Sequence, residues 1–224
     1  RLFEKITPAY RGKPQMERIQ FMVAQSNFNE KNYQTAGYYF DRFAKNYPTS
    51  SKLEEASFAS ALSYKLASPE FSKDPTDTEK ALESFQSFIN AFPSSDKLEE
   101  ANKHYKELRY KLQKKYFEIA KTYYTTADYD MRNYKAAIQA FDNLLEDYLG
   151  SEFKEEALYY RLKAAHDFTL KSYDRRKPER IKDAMEAYEK LIRNYPIGYE
   201  QTTDNQVTQL TFSLKGLFDN YNKV

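Results

Sequence analysis

Residues able to do acid–base or metal chemistry are sparse in this chain. Its 224 residues include two histidines, His104 and His166, and no cysteine. Neither histidine has a second His, or a Cys, at the spacing that metal ligands need, so no metal site is expected. Each reads as a surface or helix-packing residue. Without thiols there are no disulfides and no thiolate nucleophile, which suits an oxidising compartment. No Gly-rich phosphate loop and no nucleophile elbow occurs. Three acidic pairs remain, Glu54-Glu55, Glu99-Glu100 and Glu155-Glu156. They recur in phase with a repeat, so they read as helix starts, where negative charge meets the positive end of the helix dipole. The expectation is a non-enzyme with no catalytic residues and no cofactor.

The bulk composition narrows the class further. Apolar residues make up 41% and charged residues 30%, enough for a folded core. Lys+Arg 35 against Asp+Glu 33 leaves a formal net charge of +2, which argues against a dedicated nucleic-acid binder. There are 21 Tyr and 16 Phe but no Trp, with only 5 Gly and 8 Pro. Few breakers and many long side chains suit packed helices. So many tyrosines suit surfaces half packed and half wet. No apolar run approaches the roughly 20 residues needed to span a bilayer. The chain starts at Arg1 rather than Met and shows no signal peptide, so an upstream segment is expected.

The elements that position these residues come from an internal repeat. Ala36-Phe40-Phe43-Tyr47, Ala81-Phe85-Phe88-Phe92, Ala137-Phe141-Leu144-Tyr148 and Ala184-Tyr188-Leu191-Tyr195 share one spacing. A small residue is followed by bulky ones four, seven and eleven positions later, which places all four on one helix face. Pro48, Pro93 and Pro196 follow the last aromatic in three copies and end the helix. The third copy has Leu149 and then Gly150, which ends a helix in another way. Ala56, Ala101 and Ala157 each lie nine residues after the helix-ending aromatic and mark the next helix. Ser51 with Glu54, and Thr76 with Glu79, have capping-box spacing. Phe3, Ile6 and Tyr10 form a faint earlier copy.

Small–aromatic–Pro at these offsets is similar to the tetratricopeptide repeat. The expected fold is therefore an all-α helical solenoid of about five helix pairs. The spacing between the repeat alanines is 45, 56 and 47 residues, longer than the usual 34. Insertions at 68–77, 128–133 and 171–177 absorb the excess. Between Pro93 and Gly150 there is no Gly or Pro, so 96–127 reads as one long inter-half helix, or two in line, about 45 Å if continuous. The tail from Thr203 to Tyr221 reads as a capping helix with Val207, Leu210, Leu214, Leu217 and Phe218 on one face. The organisation is then 1–95 for the N-terminal repeats, 96–127 for the connecting helix, and 128–224 for the C-terminal repeats and cap.

First helices of such pairs line the inner side of the array. Aligning Ala24, Ala61, Ala120 and Leu162 marks the inward positions three before and one after each. These are Phe21, Gln25, Phe58 and Leu62 as candidates for a peptide-binding groove. Phe117, Lys121, Tyr159, Arg161 and Lys163, with the 171–177 loop, are candidates for docking a partner.

Longer strings narrow the resemblance. Tyr38-Tyr-Phe-Asp-Arg-Phe-Ala-Lys-Asn-Tyr-Pro48, Ser51-Lys-Leu-Glu-Glu-Ala56 and Ala81-Leu-Glu-Ser-Phe-Gln-Ser-Phe-Ile-Asn-Ala-Phe-Pro93 resemble the BamD family. So do Leu108-Arg-Tyr-Lys-Leu-Gln-Lys-Lys-Tyr116 and Ala137-Ile-Gln-Ala-Phe-Asp-Asn-Leu-Leu-Glu-Asp-Tyr148. The likeness spans about residues 2–196. It implies a lipid-anchored scaffold subunit of the outer-membrane β-barrel assembly machinery, on the periplasmic face of the outer membrane. Its implied partners are unfolded outer-membrane substrates at the N-terminal repeats and the POTRA domains of a BamA-like barrel protein at the C-terminal ones. Other assembly lipoproteins complete the set, with no nucleic acid. The lipidated Cys of that family is not among these residues. Two alternatives are a tetratricopeptide adaptor in another complex and an outer-membrane nutrient-binding lipoprotein. The first suffers from Phe21, Gln25, Phe58 and Leu62 standing where carboxylate clamps need Lys and Asn. The second suffers from the lack of Trp and of long insertions.

Overall fold

The computed structural model describes Tyr10, residues 12–195, Ser213 and Gly216. Among the described residues there are eight α-helices and no strand. They are α1 (Met16–Asn29), α2 (Tyr33–Asn46), α3 (Leu53–Ala67), α4 (Thr76–Ala91), α5 (Leu98–Thr126), α6 (Arg132–Asp147), α7 (Lys154–Leu170) and α8 (Lys177–Asn194). A 3-10 turn at Asp174–Arg176 precedes α8. Chain neighbours pack on one another, α1 on α2, α2 on α3, α3 on α4, α6 on α7 and α7 on α8. This succession of helix pairs is a tetratricopeptide-type helical solenoid. Phe3, Ile6 and most of the expected capping helix lie outside the described residues.

The repeat face explains the packing. Ala36, Phe40 and Phe43 on α2 are 0%, 0% and 1% exposed, and Ala81, Phe85 and Phe88 on α4 repeat those values. A methyl side chain at the first position lets the neighbouring helix approach, and the rings then fill the space between axes. Each fully buried ring contributes about 1.5–3 kcal/mol. The chain divides between Leu112 and Gln113, inside α5, into two compact units. In the first, Ala101 and Leu108 of α5 join the Phe58–Phe85–Phe88 core. In the second, Phe117 and Ala120 of α5 join a core with Phe141, Leu158 and Leu162. α5 is a single helix of 29 residues, about 44 Å long at 1.5 Å per residue.

All four second helices stop in the same way. Tyr47, Phe92, Tyr148 and Tyr195 are their C-caps, with φ of −129°, −127°, −123° and −136° and ψ of 63°, 61°, 66° and 71°. Each donates its backbone N–H to the carbonyl four residues back, on Phe43, Phe88, Leu144 or Leu191. Tyr148 does this without a following Pro, so Gly150 does not end the third helix by a different route. With φ of +78°, Gly150 instead supplies the second central residue of the turn that Ser151 N closes on Tyr148 O at 3.0 Å.

The expected capping boxes are also corrected. The N-caps of α3 and α4 are Lys52 and Pro75, and neither helix has a side-chain cap. The polar work is done upstream. Ser50 Oγ accepts the Lys52 N–H at 3.0 Å, and Asp74 Oδ1 accepts the Thr76 N–H at 2.8 Å. The acidic pairs Glu54-Glu55, Glu99-Glu100 and Glu155-Glu156 do occupy first turns, of α3, α5 and α7.

Candidate protein-binding surfaces

In the first unit, α1 carries Phe21 and Gln25, and α3 carries Phe58 and Leu62. Phe21 is half-buried and meets Phe40 and Phe43 edge-on, with centroids 5.7 and 5.4 Å apart. Phe58 is 6% exposed and meets Phe88 edge-on at 5.3 Å. Each ring carries a lysine from the start of the following helix pair. Lys52 Nζ stands 5.5 Å from the Phe21 centroid, and Lys97 Nζ stands 4.9 Å from that of Phe58. Lys52 and Lys97 hold the same repeat position, four before Ala56 and Ala101. The quadrupole of each ring attracts the cation on its outer face, worth about 0.5–1 kcal/mol at such exposure. Gln25 donates to Asn29 Oδ1 at 3.2 Å, and Leu62 is half-buried against the Phe85 core. This face therefore offers a partner amides, partly exposed rings and ammonium groups, while Phe58 itself is core.

The second unit repeats the pattern with a change. Phe153 stands where Lys52 and Lys97 stand, and it stacks on Phe117 at 5.2 Å. Phe117 is thereby 2% exposed. Lys121, one turn on, lies 5.7 Å from the Phe117 centroid and 5.0 Å from that of Tyr160. Lys163 lies over Tyr124 at 5.7 Å and Tyr159 at 5.8 Å. Tyr159 is 6% exposed and meets Tyr160 edge-on at 5.4 Å. Two ammonium groups on neighbouring first helices thus sit on a bed of tyrosine. Lys121 and Lys163 lie together with Phe117 and Tyr159, but those two rings are core and not surface. Tyr124, Tyr160 and Phe153 were missed. Extending the α5 stripe by one further turn, from Phe117 and Lys121 to Tyr124, is the signal that finds the first of them.

Arg161 points elsewhere. Its guanidinium donates to Asp142 Oδ2 of α6 at 3.2 Å, and to Asp183 Oδ1 and backbone O of α8 at 2.7 and 3.2 Å. Burial alone would lower its pKa, but the Asp183 hydrogen bond and the Asp142 field raise it on balance. Its side chain is 12% exposed, so it fastens three helices together. In the 171–177 loop, Lys171 pairs with Asp128, which also accepts the Tyr134 hydroxyl at 2.7 Å. That contact ties the loop to the α5–α6 turn.

Neither histidine has ring nitrogens free for a ligand. His104 lies against Lys65, Glu100 and Glu107. His166 is 6% exposed, with Nδ1 2.9 Å from Asp167 Oδ1 and Nε2 2.9 Å from Ser213 Oγ. Tyr124 donates to the other Asp167 oxygen at 2.7 Å. Burial pushes Asp167 up, yet these hydrogen bonds hold it below the ordinary carboxylate value, while burial and the Asp167 bond push Tyr124 up. Among the described residues no cluster of His, Cys, Asp and Glu could hold a metal ion, and no helix is long and apolar enough to cross a membrane.

A stack of tetratricopeptide-type pairs with paired internal charges and lysine-topped aromatic faces belongs to the class of helical-repeat proteins. Residues 1–177 match the YfiO family, described as outer membrane lipoprotein, and the chain belongs to that family. This agrees with the BamD-like strings in its sequence. No curated protein matches the chain.

Proposed function

We propose that this protein is a non-catalytic scaffold subunit of the outer-membrane β-barrel assembly machinery, lipid-anchored on the periplasmic face. The observation that carries this reading is the family match over residues 1–177. In it, the first unit holds extended segments of unfolded outer-membrane proteins against Phe21, Gln25 and Leu62, with Phe58 shaping the floor from beneath. Lys52 and Lys97 add cationic handles along that path. The second unit docks the POTRA region of a BamA-like barrel protein through Lys121 and Lys163. Their tyrosine bed suits such a role, since aromatic rings give contact area at low entropic cost and a raised cation can meet a carboxylate. Arg161 positions α7, and with it Tyr159 and Lys163, between α6 and α8. The other assembly lipoproteins are further expected neighbours.

The test is an affinity pull-down of the full-length tagged protein from detergent-solubilised envelopes, with partners identified by mass spectrometry. A barrel protein with POTRA domains as the main stoichiometric partner supports the reading. Its loss on Lys121→Glu with Lys163→Glu, at unchanged helicity, assigns the contact. A soluble chaperone or a nutrient transporter as the sole partner overturns it.

A further inference from the structure

A groove of about 480 Å³ runs along α3 between α2 and α4 in the first unit. Ser57, Ser60 and Tyr64 form its floor, a face of α3 distinct from Phe58 and Leu62. Asp41 of α2, with Lys80 and Glu83 of α4, stands among its lining. One other copy of the repeat fills this place with a charged side chain. Ser60 and Arg161 each stand one residue before the alignment positions Ala61 and Leu162. Asp41 and Asp142 each stand five after Ala36 and Ala137, and Lys80 and Asp183 each stand one before Ala81 and Ala184.

In the second unit the Arg161 side chain crosses this face and bridges Asp142 to Asp183. In the first unit the crossing side chain is replaced by a serine, whose hydroxyl turns inward to the Gly37 carbonyl at 2.9 Å. The acid on α2 is kept. Asp41 is met by Lys45 of its own helix, whose side chain is 73% exposed. Exposed pairs of this i,i+4 kind are weak and easily exchanged. The α4 position of Asp183 is held here by Lys80, which lies over the Tyr64 ring at 5.8 Å, and Glu83 is the carboxylate on that wall. Glu83 already adds to the field that raises Lys45. Two acids and two lysines, Asp41 and Glu83 with Lys45 and Lys80, line the groove. Burial first, then the charges of Asp41 and Asp77, push the Tyr64 hydroxyl up to about 12.

We propose that this groove receives an arginine side chain from a partner polypeptide, its guanidinium bridging Asp41 and Glu83 across α3 as Arg161 bridges Asp142 and Asp183 across α7. The planar fork of arginine suits two carboxylates on opposite walls, and it displaces the Lys45 ammonium, which makes a single point contact. Tyr64 lends its ring edge and hydroxyl to the stem. The partner need not belong to the assembly machinery, and this face shares no residue with the peptide path along Phe21, Gln25 and Leu62.

The test is a titration of the isotopically labelled full chain with acetyl-Gly-Arg-Gly-amide, beside its citrulline and lysine counterparts, followed by nuclear magnetic resonance. The arginine peptide should shift Ser57, Ser60 and Tyr64 signals saturably, and the citrulline peptide should not. Asp41→Asn with Glu83→Gln should weaken binding roughly tenfold, the scale of a charge-assisted contact. Ser60→Arg, which supplies the guanidinium within the chain, should abolish it, and the exposed Asp41→Asn change tests the site independently of any folding defect there. Equal binding of citrulline or lysine peptides overturns the proposal. So do shifts confined to other residues, or binding indifferent to Asp41→Asn.

Discussion

Ser151 donates its hydroxyl to Gln113 Oε1 at 2.8 Å while accepting the Phe153 N–H at 3.1 Å. The same double contact occurs in the two earlier turns. Ser95 links Glu54 to the Lys97 N–H, and Ser50 links Glu17 to the Lys52 N–H. Glu17, Glu54 and Gln113 each stand seven residues before the small positions Ala24, Ala61 and Ala120. The turn that leaves a helix pair is thus fastened to the first helix of that pair in three successive repeats. Ser151→Ala should cost about 1–3 kcal/mol, because Gln113, 7% exposed, loses its partner without access to water. Ser50→Ala should cost less, since Ser50 and Glu17 are only half-buried. Urea unfolding of the two variants checks the order.

Leu149→Pro should stabilise the chain. Tyr148 already has the backbone conformation that Tyr47 and Phe92 adopt before their prolines, and Leu149 is 81% exposed. Proline suits the first central position of a turn whose second is a positive-φ glycine. The gain should be about 0.4–1 kcal/mol through the unfolded chain. Gly150→Ala should lose about 1 kcal/mol, since φ is +78° there. Thermal melts of both variants give the signs.

Arg161→Met should loosen the second unit. Asp142 and Asp183 are partly exposed, so water relieves their loss, and a cost of about 1–2 kcal/mol is expected rather than the larger penalty of a buried orphan. Hydrogen exchange should speed in α6 and α8 together, because the guanidinium touches both.

Acid should undo the Tyr124–Asp167–His166 linkage. Asp167 is held below its ordinary 3.8 in the folded chain. Its contribution is therefore complete above about pH 4 and falls away as the pH drops through the depressed folded value. Melting temperature against pH should lose part of its acid-side slope in Asp167→Asn. An unchanged slope would remove Asp167 from the account.

The sequence by itself determined the helices and their core. Ala36, Phe40 and Phe43, and their copies at 81, 85 and 88, declared a buried face because side chains at those offsets must share one side of a 3.6-residue helix, whatever surrounds them. The stretch from Pro93 to Gly150 without Gly or Pro allowed one long helix or two in line, and the structure makes it one, α5, ending at Thr126. The candidate surfaces were legible as positions and not as contacts. Alignment selected Phe58 and Phe117, and Arg161 stood between the selected Tyr159 and Lys163, but only the packing placed Lys97 and Phe153 over the first two and turned Arg161 toward Asp142 and Asp183. Capping by Ser51 and Thr76 was misplaced because Ser50 and Asp74, one and two residues earlier, accept the backbone N–H two residues on instead. The partners of Ser95 and Tyr124 lie one helix pair away in the chain, and those of Arg161 on the helices before and after its own. Which rotamer meets which depends on the approach of neighbouring helices, and that distance is set by many side chains at once and not by any local string.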